Sequence, residues 1–130
     1  MNNNQEKITN NIQIAFSRLI GPLAIMSVLD SYKTKRNEIK KLLDTIVNWG
    51  AKFELEQNLD FIKADELLNV YEEINNLNTE FLYNPKLGNE SFLSDEIVIW
   101  MWQIMELRKK LIERNEKNGR WKKGNKSYWI

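Results

Sequence analysis

With 130 residues, 42% of them hydrophobic, the chain is long enough to fold as one domain around a real core. It contains neither Cys nor His, which excludes disulfides, thiol and imidazole catalysis, and zinc or haem held by those side chains. Carboxylate-only chemistry with Mg²⁺, or a glycosidase pair, stays open on composition, and the net charge of +1 conceals a strong sorting of signs along the chain.

The opening "MNNNQEKITN" lacks the positive start of a secretory signal. Ile12 to Leu29 is fairly apolar, but Arg18 at a membrane centre costs about 2.5–3.5 kcal/mol and Gly21-Pro22 interrupts a helix. A cytoplasmic chain without a membrane segment is the expectation, and the absence of Cys fits a reducing compartment.

Ile8, Ile12, Ala15, Phe16 and Leu19 recur at helical spacing and predict a first helix from about Gln5 to Ile20. Gly21 suits the position after its end, and Pro22 the first turn of the next helix. A second pattern joins Ile25, Val28, Leu29 and Tyr32 to Ile39, Leu43, Ile46 and Val47. It predicts one long helix from Pro22 to about Trp49, or two with a break near Lys33 to Asn37, and Gly50 as the stop. "AKFELEQNLDF" then reads as a connector with one helical turn at most, and Asp60 as a cap.

Leu67, Val70, Tyr71, Ile74, Leu77 and Phe81 mark a third helix to about Tyr83, stopped by Asn84-Pro85. "NPKLGNESFLS" reads as a loop, with Ser94 as the cap of a fourth helix from Asp95 to about Lys117, closed by Asn118-Gly119. Its inward face is Ile97, Met101, Ile104, Met105, Leu111 and Ile112. Val98, Trp100, Trp102 and Leu107 widen the apolar surface beyond one stripe. Such a helix belongs in the centre of a bundle, or at an interface with a partner or another copy of the chain. The whole is expected to be all-α: a single helical domain over 1–130, a bundle of four to five helices, with residues 119–130 as a basic aromatic tail or hairpin.

Charge is sorted rather than mixed. From Arg108 to Ile130 nine cations face two acids, a net +7. From Glu54 to Glu106 twelve acids face Lys63 and Lys86, a net −10. A smaller basic cluster spans Lys33 to Lys41. The basic segment can follow a phosphate backbone, pair with the acidic third helix, or stand solvated.

"GRWKKGNKSYWI" interleaves large aromatics with cations, as stacking on nucleic acid requires. The same tail is produced when its rings dock on the bundle or on a protein partner. It is not a phosphate loop, because Asn125 spoils the Gly-Lys-Ser spacing. Acids at Asp65, Glu66, Glu72, Glu73 and Glu80 repeat on one face of the third helix. Without His they do not make a di-iron set, and a solvated face is the simpler reading. The sequons at Asn89 and Asn125 are read as chance in a chain without a secretory signal.

No metal or cofactor is expected. The composition points to a non-enzymatic helical protein that binds another macromolecule as an adaptor, inhibitor or assembly factor. Richness in Asn, Ile and Lys suggests an AT-rich genome, such as that of a low-GC bacterium, its phage or its plasmid. Arg120, Trp121, Tyr128 and Trp129 are the expected anchors for a protein partner, since Trp and Arg dominate interface energies. The alternative is nucleic-acid binding through Arg108, Lys109, Lys110, Arg114, Lys117, Lys122, Lys123 and Lys126. A homo-oligomer with the fourth helix as its seam is compatible with either.

Overall fold

The computed structural model describes residues 3–82 and 90–123, with side chains described for 6–81 and 90–114. Four helices carry the fold, and no strand occurs among the described residues: α1 (Asn3–Met26), α2 (Arg36–Glu56), α3 (Ala64–Leu82) and α4 (Ser91–Lys123). A 3₁₀ turn at Asp30–Lys35 joins α1 to α2. α1 packs against both α2 and α4, and α4 packs against α3. Their inward residues form one continuous apolar cluster.

α1 does not stop at Gly21-Pro22 as its sequence predicts; it runs one and a half turns further. Pro22 gives up its hydrogen bond to the Arg18 carbonyl, a loss of about 3 kcal/mol in a helix interior. Continuing keeps Leu23 and Met26 in phase with Ile12, Ala15, Phe16 and Leu19, all buried. Each such side chain contributes about 1.5–3 kcal/mol on burial, so packing outweighs the proline.

The single long helix from Pro22 to Trp49 is also not formed. The chain leaves α1 at Ser27 and turns by 102° between α1 and the segment from Asp30 onward. The α-helix is interrupted from Ser27 to Lys35, which reaches the Lys33–Asn37 stretch where polarity placed the break but starts six residues earlier. Arg36, at an inward phase, explains why. Its Nε donates to the Ser27 carbonyl (3.1 Å) and an Nη to that of Leu29 (3.4 Å), satisfying carbonyls freed at the end of α1.

Gly50 is not a stop. α2 passes through it and ends at Glu56, with Gln57 in the left-handed conformation (φ 57°) donating its N–H to the Phe53 carbonyl at 2.7 Å. Phe53, read as part of a connector, is fully buried, continuing the row of Ile39, Leu42, Ile46 and Trp49. A Cβ on Gly50 would meet Phe16 Cγ at 3.4 Å, so this position faces α1 at van der Waals distance.

α3 buries Leu67, Ile74, Leu77 and Phe81 and half-buries Val70 and Tyr71, as its pattern requires. Asp60 does not cap it. Glu66 instead reaches back to accept the Lys63 N–H at 3.3 Å, one half of a capping box. α4 begins at Ser91 rather than Asp95 and extends past Asn118-Gly119 to Lys123. Ser94 is therefore a buried residue in the first turn, bonded to the Ser91 carbonyl at 2.9 Å, rather than the cap. No single helix among the described residues is long and apolar enough to cross a membrane.

Candidate interaction surface on the fourth helix

α4 buries Leu93, Ser94, Ile97, Met101, Ile104, Leu107 and Leu111 between α1 and α3. The opposite side of the same helix is mixed: Asp95, Lys109 and Glu113 are exposed there beside apolar side chains. Phe92, Ile99 and Trp102 remain 59%, 53% and 50% exposed. Val98 and Met105 pack against the core at the border of this face and are half-buried. The breadth of apolar residues on α4 thus serves two surfaces rather than one enclosed centre. Among the described indoles, Trp49 is buried, Trp100 half-buried and Trp102 half in solvent.

The basic end of α4 adjoins the start of α1. Lys7 and Asn11 from α1, with Lys110, Glu113 and Arg114 from α4, line an open groove of about 480 Å³ floored by Ile8 and Leu107. The Nε of Arg114 is buried there with no hydrogen-bond partner among the described residues. A buried, unpaired donor carries a desolvation cost of about 1–3 kcal/mol.

The sequence-predicted cations separate on this geometry. Lys110 and Arg114 meet at the groove, and Lys109 is exposed on the outer face about two turns beyond Trp102. Arg108 points elsewhere: an Nη donates to the Ile62 carbonyl at 2.6 Å, fastening α4 to the connector before α3. The side chains of Lys117, Arg120, Trp121, Lys122 and Lys123, and all of Lys126, Tyr128 and Trp129, lie outside the described residues, as do residues 83–89. Lys7, Asn11, Phe92 and Ile99 were not marked by the sequence reading. Phe92 and Ile99 had a usable signal: they fall out of phase with Ile97, Met101 and Ile104 and in phase with each other.

The second basic cluster meets the acidic third helix. Lys35 pairs with Glu80 at 3.5 Å, and Lys41 lines a groove between α2 and α3 with Glu38 and Glu73. Among the described residues no three acidic side chains come together where they could hold a metal ion. Glu66, from the acid row, is engaged in capping α3.

No protein-family model, no curated protein and no solved structure matches this chain.

Proposed function

We propose that the protein works by recognition rather than bond-making, binding another protein through the outer face of α4 as an adaptor, inhibitor or assembly factor. The observation that carries this reading is the half-open Trp102, flanked by Ile99 and Phe92, on a helix whose other side fills the core. An indole held in water by a rigid helix loses little conformational freedom on binding, and Trp anchors commonly contribute about 2 kcal/mol or more. Arg120, Trp121, Tyr128 and Trp129, C-terminal to Trp102 in sequence, would add further anchors.

The test is affinity capture from the native host with wild type and Trp102→Ala. The variant is expected to lose binding by about 30-fold, with unchanged helical content and melting temperature. Retention of the same partners at wild-type strength would overturn the reading.

A second reading rests on the basic groove. Lys7, Lys110 and Arg114 around one open groove suit a phosphate of a nucleic-acid backbone. It predicts binding to single- or double-stranded nucleic acid that weakens steeply with salt and is lost in Lys110→Ala. Binding indifferent to salt, or none with either nucleic acid, would remove it.

A further inference from the structure

The geometry points to a second copy of this chain as an occupant of the outer face of α4, the two helices lying antiparallel about a two-fold axis at Trp102. The inference rests on the proposed recognition role of that face and names its partner.

Asp95, Val98, Trp102, Met105 and Lys109 follow one another at intervals of three and four residues, the spacing of a seam between two helices. A two-fold axis at Trp102 brings each seam residue level with the one about equally far on the other side. Seven residues before Trp102 stands Asp95, exposed; seven after stands Lys109, also exposed. Four before is Val98 and three after is Met105, both apolar, half-buried and on the same flank of the seam. An antiparallel pair therefore sets Trp102 beside Trp102, Val98 beside Met105 on either side of the axis, and two Asp95–Lys109 ion pairs at the ends. On the other flank Ile99 would lie against Glu106, which is half-buried.

A parallel pair has no such match, because it stacks Asp95 on Asp95 and Lys109 on Lys109. The charge order along α4 thus selects one orientation and one register. The isologous arrangement also closes on itself, leaving no free end for a filament. The seam from Asp95 to Lys109 is only about 21 Å long. Its contact falls in the small class, below about 1,200 Å² in total, so the dimer is expected in the micromolar range or weaker.

Analytical ultracentrifugation of the full chain tests this, with circular dichroism to confirm that each variant stays folded. Wild type should show a concentration-dependent monomer–dimer equilibrium. Asp95→Lys and Lys109→Asp should each weaken the dimer about tenfold, and the double reversal should restore it. Trp102→Ser should abolish it. A wild type that remains monomeric at about 1 mM, or a double reversal no better than the singles, overturns the inference. So does a dimer that survives Trp102→Ser, since it must use another surface. If wild type is monomeric while Trp102→Ala still loses a captured protein, the inference fails and the recognition role stands. If wild type is monomeric and capture is also unchanged, both fail.

Discussion

Tyr32 sits in the core with its ring edge-on to Phe81, centroids 4.8 Å apart, and its hydroxyl donates to the Glu90 carbonyl at 2.8 Å. Beside it, Ser31 donates to the Glu90 carboxylate at 2.7 Å, so the 3₁₀ turn is clasped to the residue that leads into α4. Burial first, and then the charge on Glu90, push the Tyr32 pKa up from 10.0 to about 12. The folded chain therefore holds the phenolic proton to higher pH than the unfolded chain does. Its contribution is complete below the unfolded value of 10.0 and is lost as pH rises through about 12. Tyr32→Phe should cost about 1 kcal/mol at pH 8 by stranding the Glu90 carbonyl. Denaturant titrations from pH 9 to 12 should then show a shallower alkaline loss in the variant than in wild type. Parallel curves would exclude Tyr32 as a source of that loss.

At the scale of the helix, two glycines with the same propensity penalty have opposite roles. Gly21 lies exposed in α1, and beyond its chain neighbours a Cβ added there meets no side chain within 4 Å. Gly21→Ala should change stability by less than about 0.5 kcal/mol, because the gain of about 0.5–1 kcal/mol from replacing a helical glycine is opposed by contact between the new Cβ and the ring of Pro22. Gly50 lies where a Cβ already touches Phe16 at 3.4 Å, with Phe53 stacked obliquely on the same ring at 6.2 Å. Gly50→Leu should cost about 1–3 kcal/mol by forcing α1 and α2 apart. Thermal melts of the two variants decide this: a Gly21→Ala as damaging as Gly50→Leu, or a neutral Gly50→Leu, contradicts the packing described. Sequence logic ranked both as stop signals because it weighs a residue against its neighbours in the chain. Here the neighbour that matters to Gly50 is Phe16, 34 positions away.

Across the whole molecule, the sorted charges are not one feature. The Lys33–Lys41 cluster faces acids of α3 through the Lys35–Glu80 pair and the groove at Lys41 and Glu73. The basic end of α4 meets no such helix among the described residues and instead borders Lys7 of α1. Arg108 and Lys110, two residues apart in a single basic run, consequently have different jobs. Arg108→Ala should destabilise by about 1.5–3 kcal/mol through loss of its bond to Ile62. Lys110→Ala should leave the melting temperature within about 1–2 °C, since exposed surface changes are nearly neutral. Equal stability effects in calorimetry would show that the Arg108 bond does not hold the connector.

The periodicity of Leu67 to Phe81 and of Ile97 to Leu111 determined two helices and their buried faces without help, because an amphipathic stripe is a local repeat. The missing Cys and His likewise settled which metal and nucleophile chemistries the chain lacks. Only the tertiary structure decided that α1 passes through Gly21-Pro22, that Phe53 is core, and that Trp102 faces outward while Trp49 does not. Those outcomes depend on burial against residues distant in sequence. A few kilocalories of packing across helices override a local penalty of similar size, and no single stretch of chain contains both sides of that balance.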